Sequence, residues 1–294
     1  MTALPEQHSS PAARGGEPIG IVCGGGSVPF AVADGALGNR RVMLFAIRGY
    51  ADPKRVAGYP HHWIGACEIG RLCRLARREG CRELVFIGAL QRPRLREMRT
   101  DLLTWRLLPR LVRLFRGGDA HLLEGIVKIF EEQGFTVVGS HELAPSILTP
   151  PGPAGNHAPN ERHMADIARG IAFLRAAGPF DVGQAVVVSN TQVLAVEAAE
   201  GTDAMLARVA EMRGIGRIPA AGGVLIKAPK PQQDLRIDLP TIGPKTVENA
   251  LRAKLEGIAA VAGGSILAEP IRVADIANRD NVFVVGIDPD GSLR

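Results

Sequence analysis

The segment from Lys227 to Thr246 is the richest in the chain in side chains that could act on a phosphate. Its charged residues are Lys227, Lys230, Asp234, Arg236, Asp238 and Lys245. Cleavage of a pyrophosphate needs this mixture, because cations and a helix N-terminus stabilise charge on the phosphoryl oxygens while a carboxylate orients water or holds Mg²⁺. We therefore predict that Asp238, Arg236, Lys227 and Lys230 are catalytic. A solvated polar loop is the alternative.

The end of this segment enters a predicted helix with Pro244 in its first turn. Thr241, Gly243 and Lys245 surround that helix N-terminus, where backbone amides attract an anion. We expect these three residues to contact the phosphates or the nucleotide of a substrate.

Asp234, Arg236 and Asp238 alternate with apolar residues. In an extended backbone Arg236 and Asp238 point to one side, away from Ile237, and Asp234 shares that face. A cation beside a carboxylate keeps the carboxylate ionised, as a metal ligand or a water-orienting base requires. The pattern predicts an extended segment that presents its charges to one ligand.

A second acidic group surrounds the turn before the helix predicted over residues 204–212, with Thr202 as its N-cap. Glu197, Glu200 and Asp203 supply hard oxygen ligands, so Glu200 and Asp203 could hold Mg²⁺ together with Asp238. The same acids could instead complement the helix dipole. Both interpretations stay open, and Thr202 is also a candidate substrate contact.

Gly24, Gly25 and Gly26 follow a buried apolar run and precede a predicted helix, so their amides could approach a phosphate or a ribose. The dinucleotide fingerprint is not met, because Pro29 stands in place of its last glycine and Arg48 ends the next strand. We predict nucleotide contact without dehydrogenase chemistry, and a tight strand-to-helix turn is the alternative.

Residues 102–116 are apolar with arginines at steps of three and four residues. Such a helix can lie on an anionic membrane or cover an acyl chain, and more often it packs on a core with a basic solvent face. A peripheral contact with the inner membrane therefore stays open, as does a homodimer.

Composition narrows the class of protein. Basic residues outnumber acidic ones by 35 to 30, which favours an anionic partner, while an aromatic content of 4% and the absence of a basic, aromatic run argue against nucleic acid. The 4 cysteines lack zinc spacing, and no serine elbow or P-loop is present. Without a signal peptide or a long apolar stretch, we expect a cytoplasmic protein with reduced thiols.

The predicted elements separate two domains. After a tail at residues 1–17, which we expect to be disordered, strands alternate with helices over residues 18–144 and predict a Rossmann-like domain with a parallel sheet. Residues 145–163 contain five prolines and are expected to be a linker. Residues 164–294 begin with a predicted hairpin and continue as a mixed α/β domain, which we take to be catalytic.

Several segments together resemble the family of UDP-2,3-diacylglucosamine pyrophosphatases that replaces the calcineurin-like enzyme in some Gram-negative bacteria. The segments are Ile21–Pro29, Gly118–Leu123, Gly134–Phe135, Val138–Glu142, Val196–Leu206, Lys227–Pro231 and Asp238–Gly243. The resemblance implies two domains with an amphiphilic UDP-sugar lipid between them, and Asp238 at the position of the family's essential aspartate. It implies Mg²⁺-dependent hydrolysis to UMP and 2,3-diacylglucosamine 1-phosphate in lipid A biosynthesis. An apolar groove for the acyl chains is then expected near the cleft.

Two other classes of protein stay open at this point. One is a sugar-nucleotide transferase or dehydrogenase that uses the glycine-rich turn, and the other is a non-catalytic protein that binds a nucleotide-linked lipid. Release of UMP without an acceptor or a nicotinamide would distinguish the hydrolase from both.

Overall fold

The protein is described by a computed structural model that covers residues 16–90, 101–115, 119–230 and 234–293. Nearly all of the tail predicted to be disordered, residues 1–15 of 1–17, lies outside these residues. The chain divides into two compact units, Met1–Leu114 with Ile126–Ala144, and Phe115–Gly125 with Pro145–Arg294.

A parallel sheet forms the centre of the first unit. Its strands are β1 (Ile19–Cys23), β2 (Val42–Ile47), β3 (His61–Ile64), β4 (Glu83–Ile87) and β5 (Thr136–Val137). All neighbouring pairs are parallel, in the order β3-β2-β1-β4-β5. Every residue of β1 and β2 is buried, because a parallel strand is covered on both faces. The order is that of a doubly wound fold, and the predicted Rossmann-like architecture is confirmed.

Helices connect these strands, as the alternating pattern predicted. They are α1 (Val28–Leu37), α2 (Pro53–Val56), α3 (Ile69–Arg78), α4 (Leu102–Phe115), α5 (Asp119–Glu132) and α6 (Ser140–Leu143). α3 buries Leu72, Cys73 and Ala76 while its arginines lie on other faces. The strand β3 was not predicted, because His61 and His62 interrupt its apolar pattern.

The second unit contains a mixed sheet. The strands after residue 150 are β6 (Gly152–Pro153), β7 (Ala185–Ser189), β8 (Gln192–Val196), β9 (Val224–Lys227), β10 (Thr241–Ile242), β11 (Gly257–Val261), β12 (Ile266–Leu267) and β13 (Phe283–Ile287). Six of them form one sheet in the order β6-β13-β11-β9-β7-β8, while β10 and β12 pair separately. Strands β9, β11 and β13 are parallel, and β7, β8 and β6 run antiparallel to their neighbours. The predicted hairpin and the mixed α/β class are both confirmed.

Four helices cover this sheet on its two faces. They are α7 (Glu161–Ala177), α8 (Gly201–Gly214), α9 (Pro244–Arg252) and α10 (Pro270–Arg279). Val186 and Val188 of β7 pack with α7, whereas Ala185 and Val187 pack with the other three helices. This alternation is the period of two that a strand buried on both faces requires. The sheet thus lies between two apolar layers, so polar side chains that could take part in a reaction lie at the loops along its edges.

The proline-rich residues 145–163 contain a 3-10 turn at Pro145–Ile147, the short edge strand β6 and the first turn of α7. Asn160 caps α7, its side chain accepting a hydrogen bond from the amide of His163. β6 lies at the edge of the sheet, where a proline removes no interior ladder bond.

Candidate active site

The residues with the strongest claim to chemistry lie at one edge of the second unit's sheet. Lys227 is the last residue of β9, and Ala185, the first of β7, pairs with it. The hairpin then brings Glu197, which follows β8, beside Gln184. This is the carboxyl edge of the parallel strands, outside which open α/β sheets bind their ligands.

Lys227 is a buried cation at this edge, with only 6% of its surface exposed. Its Nζ donates hydrogen bonds to Thr202 Oγ1 at 3.0 Å and to the carbonyl of Thr241 at 3.1 Å. Burial lowers the pKa of Lys227, and the charges of Glu197, Asp203 and Asp238 oppose that shift. The neighbouring carboxylates therefore favour the charged form of the Lys227 ammonium.

A chain of hydrogen bonds connects Lys227 to Asp238. Thr202 Oγ1 donates to Glu197 Oε1 at 2.8 Å, and Glu197 Oε2 accepts from the backbone amide of Gln184 at 2.9 Å. The side-chain amide of Gln184 in turn donates to Asp238 Oδ2 at 2.6 Å. In this network Gln184 contacts the carboxylate of Asp238 directly, and Glu197, Thr202 and Lys227 are connected to it through Gln184.

The backbone around Asp238 differs from our prediction. Residues 235–237 form a turn, in which the carbonyl of Asp234 accepts from the amides of Ile237 and Asp238 at 3.2 and 3.3 Å. The prediction of an extended segment was wrong, since an alternation over so few residues does not distinguish a strand from a turn. In this turn Arg236 lies beside Asp234, with Nη2 and Oδ2 2.7 Å apart.

The other predicted cations contact acidic side chains. Lys230 Nζ lies 2.5 Å from Asp181 Oδ1, and Lys245 Nζ lies 2.6 Å from Asp203 Oδ2. The hydrogen bond from Arg236 is the main cause that lowers the pKa of Asp234, so this carboxylate is ionised in the neutral range.

Thr241 and Gly243 flank the predicted helix N-terminus. Thr241 opens β10, and Gly243 precedes α9, which has Pro244 in its first turn as predicted. The amide of Gly243 donates to Thr246 Oγ1 at 3.2 Å. Thr241 is therefore joined to Lys227 through its carbonyl, while Gly243 is tied to the first turn of α9.

Thr202 does not cap α8, as its position had suggested. The helix begins at Gly201, and Glu200 is its N-cap. Thr202 lies in the first turn, where its hydroxyl contacts Lys227 and Glu197. Thr202 therefore belongs to the polar network around Lys227 and is not the cap of α8.

The three acids predicted to bind metal do not form a common cage. Glu200 Oε1 lies 2.7 Å from Arg208, Asp203 pairs with Lys245, and Asp238 accepts from Gln184. Over residues 16–90, 101–115, 119–230 and 234–293, no group of three or more histidine, cysteine or acidic side chains is arranged to hold a metal. A protein-built site with three such ligands does not fit the described residues.

The glycine-rich turn in the first unit is tightly packed. The amides of Gly24 and Gly25 donate to the carbonyls of Ile87 and Ala89 at 2.9 and 2.8 Å. A Cβ on Gly24 would lie 2.9 Å from the carbonyl carbon of Gly88, so a side chain is excluded there. Gly26 has a φ of 93°, which favours glycine. These contacts explain Gly24 and Gly25 by the tight strand-to-helix turn, which was the alternative to nucleotide contact.

Gln184 was not among the predicted site residues, and Glu197 was considered only as a metal ligand or as an acid that complements the helix dipole. One available signal was their position, because Gln184 precedes the first strand of the hairpin and Glu197 follows the second. The ends of an antiparallel pair meet, so the two residues had to be neighbours. The contact of Gln184 with Asp238, 54 residues further along the chain, could not be derived that way.

Comparison with known proteins gives matches along the chain. The family model described as LpxI N-terminal domain matches residues 18–147, and that described as LpxI C-terminal domain matches residues 150–285. The UDP-2,3-diacylglucosamine pyrophosphatase LpxI of Caulobacter vibrioides is 39% identical over 274 residues, which cover 92% of this chain and 98% of that protein.

Proposed function

Because this chain belongs to the LpxI family, we propose that it hydrolyses the pyrophosphate bond of UDP-2,3-diacylglucosamine. The proposed products are UMP and 2,3-diacylglucosamine 1-phosphate, formed when water adds to one phosphorus and the bridging oxygen leaves with the other. The observation that carries the proposal is the similarity to the Caulobacter pyrophosphatase along nearly the whole of both chains. The proposed setting is lipid A biosynthesis, in the cytoplasm beside the inner membrane.

We propose Asp238 as the carboxylate that orients the attacking water or a metal ion. Its bond to Gln184 supports this role, because a fixed oxygen keeps the carboxylate in one orientation. Preorganised groups of this kind stabilise a transition state without moving during the reaction. Asp238 also lies near enough to Lys227 for their charges to interact.

Lys227 and Thr202 are proposed as positioning residues for Asp238. Lys227 is almost fully buried, and its ammonium balances the surrounding acids while it holds Thr202 and the carbonyl of Thr241. Removal of such a cation leaves the half-buried carboxylates of Glu197 and Asp238 without a counter-charge, which is costly. The proposed effect of Lys227 on the reaction is therefore through Asp238.

Lys230 and Arg236 are proposed to bear charge on the two phosphates. Each already contacts a carboxylate, Asp181 and Asp234 respectively, so a bound diphosphate would compete with that acid or join it. Guanidinium and ammonium groups form charge-assisted hydrogen bonds with phosphate oxygens as they do with carboxylate oxygens. Lys245, Thr241 and Gly243 remain proposed contacts to the rest of the substrate. In the glycine-rich turn of the first unit, the amides of Gly24 and Gly25 already donate to Ile87 and Ala89, so only Gly26 remains a proposed nucleotide contact.

Mg²⁺ is proposed to bind with the diphosphate and not in a preformed cage. Mg²⁺ commonly binds through one or two carboxylates and the phosphates of the substrate, and keeps several waters. Asp238 is the residue proposed to hold it, and the bound ion would neutralise charge on the phosphates. Glu200 and Asp203 are less suited, since each already pairs with a cation.

The proposed reaction is tested by incubating the purified protein with UDP-2,3-diacylglucosamine in ¹⁸O-labelled water. Equal amounts of UMP and 2,3-diacylglucosamine 1-phosphate are expected, and mass spectrometry shows which product carries the label. EDTA is expected to stop the release of UMP, and added Mg²⁺ to restore it. Intact substrate after incubation with Mg²⁺ would overturn the proposed activity, and full activity in EDTA would overturn the metal requirement alone.

A further inference from the structure

We propose that helix α4 is a membrane-binding element that inserts Leu102, Trp105 and Val112 into the surface of an anionic lipid bilayer. The residue exposures carry this inference. Leu102 is 72% exposed, Trp105 62% and Val112 37%, so three of the eight large apolar residues exposed in the described chain lie on this helix. Scattered exposed apolar residues are normal, whereas a cluster on one face marks an interaction site.

The opposite face of α4 is packed against the protein. Thr104, Leu111 and Leu114 are buried, and the hydroxyl of Thr104 donates to the carbonyl of Cys67 at 2.7 Å. Asp101 fixes the start of the helix, because its carboxylate accepts from the amides of Arg71 and Thr104 at 2.7 and 3.0 Å. The exposed face is therefore held in a defined orientation.

Arginines run along one side of the exposed apolar stripe. A rotation of about 100° per residue places Leu102, Trp105 and Val112 on one arc and Arg106, Arg113 and Arg110 on the adjoining arc. Arg106 and Arg113 are exposed, and Arg110 pairs with Glu132. Residues 102–115 include no acid. An apolar stripe bordered by arginines is the pattern of a helix that lies in the interface of a bilayer.

Charge complementarity favours an anionic bilayer over a second copy of the chain. A two-fold interface through this face would bring like surfaces together, and with them the arginines of both copies. Phospholipid headgroups instead supply the negative charge, and the indole of Trp105 suits the boundary between headgroups and acyl chains. An amphiphilic substrate, if the proposed reaction is correct, would lie in that same bilayer.

The test uses Trp105 as its own reporter. The chain has 2 tryptophans, so Trp63→Phe leaves Trp105 as the single indole. Vesicles of phosphatidylglycerol and phosphatidylcholine should shift its emission to the blue and sediment the protein, whereas pure phosphatidylcholine should do so much less. No substrate is needed, so failure here is distinguishable from failure of the proposed hydrolysis.

Two sets of variants locate the contact in that background. Leu102→Ser with Val112→Ser should abolish sedimentation, while Phe180→Ser with Ile271→Ser, which alter apolar residues elsewhere that are even more exposed, should leave it unchanged. Arg106→Gln and Arg113→Gln should each weaken binding about fivefold at low salt. Unchanged emission with anionic vesicles, or full sedimentation of the Leu102 and Val112 variant, would overturn the proposal. A blue shift on raising protein concentration without lipid would overturn it in favour of a second copy.

Discussion

The side-chain amide nitrogen of Gln184 lies 2.6 Å from Oδ2 of Asp238. The backbone of Gln184 is itself held by neighbouring strand ends. Its amide donates to Glu197 Oε2, and its backbone carbonyl oxygen accepts from the amide of Ala228, which follows β9. The orientation of the proposed catalytic carboxylate is therefore set by the sheet.

Replacing Gln184 with Met should slow turnover and leave binding nearly intact. A hydrogen bond to a charged group contributes about 1.5–3 kcal/mol, so kcat should fall roughly 10- to 100-fold. KM should change little, because the cations proposed to bind the phosphates remain. Gln192→Met, at an exposed position of β8, is the matched control. Equal kcat values for the two variants would remove Gln184 from the mechanism.

The pH profile should reveal the buried lysine. Burial lowers the pKa of Lys227, so its proton leaves at a lower pH than that of an ordinary lysine, about 10.4. The charged form balances Glu197 and Asp238, so kcat/KM should fall as the pH rises through that lowered pKa. Lys227→Arg, which does not titrate in this range, should lose the alkaline decline. If kcat/KM of this variant declines at the same alkaline pH as that of the unmodified protein, the decline belongs to a group other than Lys227.

Gly183→Ala should destabilise the hairpin end that carries Glu197. A Cβ there would lie 2.6 Å from the carbonyl oxygen of Glu197, closer than a side chain tolerates. Overpacking of this kind costs roughly 1–3 kcal/mol, measurable as a lower free energy of unfolding in urea. Gly214→Ala, which meets nothing within 4 Å at the end of α8, should be neutral or slightly stabilising. Equal stability of both variants would show that the hairpin end relaxes freely.

The cysteines should be inert in the folded protein. All four are buried and unpaired, and burial raises the pKa of Cys23, Cys73 and Cys81 to about 11. Thiolate, the reactive form, is then scarce at neutral pH. A thiol reagent such as DTNB should react slowly with the native protein. Once the protein is unfolded in guanidinium, the reagent should label all four thiols. Rapid labelling of native protein would contradict this burial.

The strands and the hairpin could be predicted because their apolar residues follow a local pattern. Val42–Ile47 is a continuous apolar run, and both hairpin strands contain runs of valine, leucine and alanine beside a turn. Helices α7 and α10 were not predicted, although Asn160 before α7 and Pro270 in the first turn of α10 are signals of a helix start. Local patterns were therefore enough to predict the fold class, but not to predict each helix.

The polar network could be predicted only in part. Lys227 and Asp238 were chosen because they share one charged segment, but their connection passes through Glu197 and Gln184 of a separate hairpin. Such contacts depend on strand pairing and on the turn at 235–237, and neither is encoded in residue spacing alone. Charge type identified the segment, and tertiary structure determined its partners.

The most direct test of the account is the turnover of Asp238→Asn, which keeps the shape of the side chain but removes its charge. Its kcat for release of UMP should fall roughly a thousandfold or more, about 4 kcal/mol in barrier, while Tm stays near that of the unmodified protein. Asp275→Asn, at an exposed position of α10, should retain full activity. A kcat for Asp238→Asn within a few fold of the unmodified protein would contradict the proposed role of Asp238.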